Sequence, residues 1–283
     1  SIAATTGAFA DKNAGTGKTV TVTGISFSGT DAANYSPPSS ATTTASILQK
    51  TLTVTGSAAA NRAYDGSVTA TLSGGALSGV IAADTANVTL TQAGSFASKN
   101  VGTGIVVTAA DTLGGSAASN YSLTQPTGLS ANITAKTLTV TGLAGTNRAY
   151  DGSTVDALTG SATLVGLVTG ETLTIGGTTS GTLASPNAGS QAVSTAVTIA
   201  DYLTFKATNY SLTQPTLANV TISKRIVNLT GNRAYDGTTT VANSIFNLGN
   251  LVTGEALTLT GSGTVANKHV GTGKTISVTG IAL

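Results

Sequence analysis

The hexapeptide Asn61-Arg62-Ala63-Tyr64-Asp65-Gly66 returns unchanged at 147–152 and again at 232–237, with the copies 86 and 85 residues apart. Identity of this length at near-constant spacing makes the chain an array, and an array must be read as stacked copies of one unit before anything else is asked of it. The period divides the sequence into residues 1–49, the back of a repeat; 50–135 and 136–223, two complete repeats; and 224–283, the front of another. The reading is of a piece of a longer molecule.

Inside each repeat the pattern is that of strands. Lys50-Thr51-Leu52-Thr53-Val54-Thr55-Gly56 alternates Thr with Leu or Val, and Lys136 to Gly142 copies it. Period-2 alternation places the apolar residues on one face of a strand and the threonines on the other. Similar short runs occur at Thr19 to Gly24, Thr69 to Leu72, Val88 to Thr91 and Gly104 to Thr108, with Gly74-Gly75, Gly102 and Gly114-Gly115 between them. Short strands at this spacing, divided by turn signals, predict a sandwich or barrel. No window sustains the i, i+3, i+4, i+7 apolar spacing of a helix. The expected fold is all-β: a tandem array of small β-sandwich-like domains, each of about six to eight strands, forming an elongated rod. The junctions, such as Ser130 to Thr141, hold no Pro, Gly or polar run before Gly142. A flexible linker is Gly/Ser-rich, so direct passage from one domain to the next is expected.

Composition narrows the function. Charged residues make up 8% of the chain, against about 25% in ordinary domains. The net charge is only +2, too small for a nucleic-acid surface, where Lys and Arg must cluster against phosphates. No apolar run is long enough to span a bilayer as a helix. With no cysteine, disulfides, thiolate metal sites and cysteine nucleophiles are excluded together.

The motif order is a Thr-Leu-Thr-Val-Thr-Gly strand, then Ala-Tyr-Asp-Gly, then Ala-x-Lys-Asn-x-Gly-Thr-Gly, then Asn120-Tyr121-Ser122-Leu123-Thr124-Gln125-Pro126, copied at Asn209 to Pro215. This order resembles the YDG repeat of filamentous-haemagglutinin-type adhesins, large bacterial exoproteins commonly secreted by the two-partner route. The resemblance covers essentially the whole chain. It implies a structural stalk of a secreted surface adhesin or biofilm-matrix fibre, extracellular or on the bacterial surface, with no catalytic residue attached to the repeat. There are departures: Asn61-Arg62 stands where the family often has Asp-Lys, the third segment drifts to Pro186-Asn187-Ala188-Gly189 and Lys268-His269-Val270-Gly271, and Tyr35-Ser36-Pro37-Pro38 replaces the later Tyr-Ser-Leu-Thr.

Each recurring residue has a structural and a functional reading. Tyr64, Tyr150 and Tyr235, and likewise Tyr35, Tyr121 and Tyr210, read as core or corner tyrosines bonding back to backbone, against ligand-stacking residues. Asp65, Asp151 and Asp236 read as turn caps, paired with the Arg three residues earlier. A calcium site needs six to eight oxygens, and only 11 acids serve the chain. Gly66, Gly152 and Gly237 complete the turn. Asn34, Asn120 and Asn209 recur before tyrosine; an isopeptide bond to Lys50, Lys136 or Lys224 is the sharper reading, solvated junction lysines the blander one. His269 is the single histidine and reads as a loop substitution. The Thr runs read as exposed strand faces rather than an ice-binding array, and Gly102 with Gly104 as a turn lacking the helix of a nucleotide loop. The sequence thus predicts no enzyme, no cofactor and no metal. Its expected partners are neighbouring repeats and, through weakly charged edge strands, identical chains side by side. The alternative is a glycan- or host-receptor-binding module acting through the loops.

Overall fold

The computed structural model describes residues 1–4 and 6–282, so Leu283, the last residue of the expected fourth segment, lies outside the described residues. The regular structure of the chain is almost entirely β-strand, in many small sheets, as the alternating runs require. In Lys50–Thr55 the burial alternates as the sequence predicts: Leu52 and Val54 are buried and every threonine is exposed. Residues 50–135 form twelve strand segments rather than six to eight, because Gly and turn residues cut the runs into pieces as short as two residues. The expectation of no helix needs one amendment. Short 3-10 turns occur at Ala32–Asn34, Ala82–Asn87, Ala118–Asn120, Ala207–Asn209 and Asn243–Ile245. They are too brief to show a helical apolar period.

The chain divides into two compact units. The first comprises residues 1–137, 166–173 and 201–211. Its central repeat places Lys50–Thr55 between Ala76–Ser78, antiparallel, and Tyr121–Thr124, parallel, with Tyr121 opposite Lys50. A five-stranded sheet in the order Arg62–Ala63, Ser130–Thr134, Gly102–Ala109, Gly94–Phe96, Thr69–Ala70 completes it. Leu52, Val88, Ala117 and Tyr121 form one buried cluster, with Leu77, Val80, Leu113 and Leu123 packed on it. Full burial of such aliphatic side chains contributes about 1.5–3 kcal/mol each. In a chain that is 4% aromatic, the rare rings carry a large share of this apolar area.

The second unit comprises residues 138–165, 174–200 and 212–283. Here Val220–Ser223 lies between Arg148–Ala149, parallel, and Gly189–Gln191, antiparallel. Leu183, Val193, Val220 and Ile222 form its buried cluster, with Tyr150, Leu158 and Leu217 against it. Farther along, Asn228–Gly231 pairs with Phe246–Gly249.

Candidate functional site

The recurrent Tyr-Asp-Gly turn is built the same way in each copy. Asp65 accepts a hydrogen bond from the Ser67 N–H at 2.8 Å, Asp151 from Ser153 at 2.9 Å and Asp236 from Thr238 at 2.9 Å. Arg62, Arg148 and Arg233 pair with the aspartate three residues on. The Arg62 guanidinium also lies 5.1 Å from the Phe96 ring centroid, a cation–π distance. Asn61 and Asn147 accept the N–H groups of Asn132 and Thr221, each at 2.7 Å, tying the turn to the closing strand of its repeat. Arginine lowers the Asp151 carboxyl below its usual range through their hydrogen bond, helped by the Ser153 N–H. Among the described residues no group of three or more His, Asp or Glu side chains comes together.

The tyrosine of this turn departs from the sequence expectation. Tyr64 is only 2% exposed, but its hydroxyl does not return to nearby backbone. It donates to Glu171, 107 residues on, at 2.6 Å. The other oxygen of Glu171 accepts from Tyr210 at 2.7 Å, and the Tyr210 hydroxyl accepts the Val168 N–H at 3.1 Å. The two tyrosine rings stand edge to face at 5.4 Å, a favoured aromatic geometry. All of these residues lie in the first unit. One carboxylate thus joins the Tyr-Asp-Gly tyrosine of one repeat to the Asn-Tyr-Ser tyrosine of the next. Burial, then the bond to Glu171, holds the Tyr64 hydroxyl far above its ordinary range. The same causes push Tyr210 up to about 12.

The asparagine before Tyr210 makes a second clasp. Asn209, 2% exposed, accepts the Val101 N–H at 2.9 Å and donates to the Asn100 side chain at 3.0 Å. The short 3-10 turn Ala207–Asn209 sets the two side chains in succession before the strand begins at Tyr210. Asn120 repeats the arrangement one period earlier, accepting from Ala14 at 2.8 Å and donating to Asn13 at 3.2 Å. Tyr121 then accepts the Ile81 N–H at 3.2 Å and donates to Asp84 at 2.8 Å. There Lys12 also reaches Asp84, at 3.3 Å. The Tyr121 hydrogen bond and Lys12 lower the Asp84 carboxyl below its usual range, against the opposing effect of burial.

The second unit carries the donor half again: Tyr150 donates to Glu255. Glycine in this turn has two duties. Gly66 and Gly152 adopt φ of +81° and +77°, which disfavours any side chain. A Cβ on Gly66 would also stand 3.0 Å from Val168, and one on Gly152 2.9 Å from Val252. The turn therefore packs directly on the acidic loop of the following repeat. Tyr235 shows the contrast. No such loop follows it among the described residues, and its ring is 63% exposed. Tyr35 is likewise 69% exposed. Burial of the motif tyrosine comes from the next repeat rather than from its own.

The residues that sequence reasoning missed are Asp84, Glu171 and Glu255. Their signal was present: an acid at the end of a Val-x-Gly-Glu or Ile-Ala-Ala-Asp loop, once per period, in a chain with 11 acids. These features define a class: an all-β tandem array in which each repeat supplies part of its neighbour's core. The YDG domain family is matched at residues 1–45, 48–128, 134–218 and 216–283, and the chain belongs to it. No curated protein and no solved structure matches the chain.

Proposed function

We propose that this chain is a structural stalk segment of a secreted bacterial surface adhesin or biofilm-matrix fibre, supplying length and stiffness rather than chemistry. The observation that supports the reading is the junction at Glu171, where two tyrosines from successive repeats share one carboxylate. In repeat arrays, stability is the sum of intrinsic terms and nearest-neighbour interfaces. The low charge of the exposed strands adds side-by-side association of identical chains to the same reading.

Small-angle scattering on the 283-residue chain tests the proposal. A compact globule of this length has a radius of gyration of about 19 Å. A stiff stalk gives a value well above that, and side-by-side association shows as a cross-section that falls on dilution. A value near the globular figure, or the profile of a freely jointed chain, would remove the stalk reading.

A further inference from the structure

Two segments of the central repeat run side by side in one direction. The entering segment starts at Lys50 and the leaving segment at Tyr121, and residues 50–53 pair in parallel with residues 121–124. Farther along, Arg62 and Ala63 pair in parallel with Ile133 and Thr134. The register is the same at both places. Thr51 and Ser122, whose hydroxyls lie 3.2 Å apart, are 71 residues apart in sequence, and so are Asn61 and Asn132. Further bonds close the far end. The Asn132 N–H donates to Asn61 Oδ1 at 2.7 Å, the Thr134 hydroxyl to the Arg62 carbonyl at 3.3 Å, and the Tyr64 N–H to the Thr134 carbonyl at 2.8 Å. All of these residues lie in the first unit. The second unit repeats the far end. Arg148 and Ala149 pair in parallel with Ile222 and Ser223, and the Tyr150 N–H donates to the Ser223 carbonyl at 2.9 Å. The hexapeptide thus grips the last strand of its own repeat where the chain passes on, since Ala135 alone separates Thr134 from the strand that opens at Lys136.

We infer that this parallel register is a shear clamp, the device by which each repeat withstands tension along the chain. Tension enters at Lys50 and leaves at Thr134, at opposite ends of the paired segments. It draws the entering segment back and the leaving segment forward, along their own length. The bonds of a parallel pair are evenly spaced and run from strand to strand, so they share the load and the segments slip only when they fail together. Had the leaving segment run antiparallel, ending beside Lys50, the same tension would peel its bonds open one at a time. Forced unfolding follows the unfolding rate rather than the equilibrium stability. The arrangement therefore gives strength under tension to a domain of short strands and small apolar clusters. Asn61 is a positioning residue in the clamp: its side-chain oxygen adds one bond ahead of the backbone pairing at Ile133. Asn147 does the same for Thr221, at 2.7 Å.

The inference rests on the stalk reading, which supplies the tension. Its test is single-molecule pulling of the full chain through introduced cysteines, the sequence having none of its own. One handle pair, Leu48→Cys with Ala135→Cys, loads the two segments from opposite ends. The other, Leu48→Cys with Ser119→Cys, loads them from the same end. At one pulling rate the first pair should need several times the force of the second, and its rupture should release about 300 Å of chain. Asn61→Ala should lower the first force and leave the second near its parent value, because Asn61 lies at the end far from Leu48 and Ser119. Asn61→Asp, which keeps an acceptor for the Asn132 N–H, should restore the first force. Equal forces in the two directions overturn the inference, and so does an Asn61→Ala chain that pulls like its parent through residues 48 and 135. Either result in a chain that scatters as a stiff rod removes the clamp and leaves the stalk reading standing. Unequal forces in a chain that scatters as a compact globule do the reverse.

Discussion

Replacing Glu171 with leucine removes the acceptor that two buried tyrosine hydroxyls share. Tyr64 and Tyr210 donate to its two oxygens at 2.6 and 2.7 Å, and their rings are 2% and 6% exposed. A hydrogen bond to a charged group contributes about 1.5–3 kcal/mol, and a buried donor left without an acceptor costs about 1–3 kcal/mol. Tyr210 retains the Val168 N–H as a partner, so its loss is the smaller of the two. Glu171→Leu should therefore destabilise the first unit by about 3–5 kcal/mol. Tyr64→Phe alone should cost about 1.5–3 kcal/mol. In the double variant Tyr64→Phe has no carboxylate left to lose, so it should add no more than about 0.5 kcal/mol. The coupling energy is then about 1.5–3 kcal/mol, the difference between the two backgrounds. Urea unfolding read by tyrosine fluorescence measures it, since the chain has no tryptophan. Hydrogen exchange at the Val101 and Val168 amides adds a local readout of the same junction. Additivity within about 0.5 kcal/mol would mean that Tyr64 and Glu171 act independently, and the reasoning would fail.

Two further outcomes follow from the same geometry. Tyr210 keeps its proton in the folded chain up to about 12, whereas an unfolded tyrosine loses it near pH 10, at its ordinary value. The folded state then binds more protons than the unfolded one, so stability is fully present below pH ~10 and is lost as pH rises toward ~12. Tyr64 shifts in the same direction. The loss should reach about 2–3 kcal/mol for Tyr210 alone, and a urea midpoint that stays flat from pH ~8 to ~12 would contradict it. Gly66→Ala should cost more than Gly237→Ala by about 1 kcal/mol or more, because both carry the strain of positive φ but only the first Cβ meets a neighbour, Val168 at 3.0 Å. Thermal melts of the two variants compare them, and equal losses would deny the close approach.

The strand face of this protein could be read directly from the sequence. Leu52 and Val54 alternate with threonines, and the structure buries those two and exposes the threonines. The Asp-Gly turn was equally readable, because Asp65 caps its own backbone and Gly66 accepts positive φ within six residues of chain. The junction was not. Tyr64 and Glu171 are 107 residues apart, and nothing local to either residue says where its hydroxyl or carboxylate goes. The acid also changes identity, Asp84 in one copy and Glu171 and Glu255 in the others, so a search for unchanged motifs passes over it. The same tyrosine in the same motif is buried at 64 and exposed at 235. The burial of Tyr64 depends on the loop that carries Val168 and Glu171, and the six residues of the motif do not encode that loop.

The central claim is that the following repeat, not the repeat itself, buries the Tyr-Asp-Gly tyrosine. Nitration of the native chain with tetranitromethane, mapped by peptide mass, tests this most directly. Tyr35 and Tyr235 should react readily and Tyr64, Tyr121 and Tyr210 should be protected, following their exposures of 69%, 63%, 2%, 3% and 6%. In Glu171→Leu the protection of Tyr64 should fall while that of Tyr121, which bonds to Asp84 instead, should stay. Unchanged protection of Tyr64 in Glu171→Leu, or loss of protection at Tyr121 to the same extent, would contradict the claim.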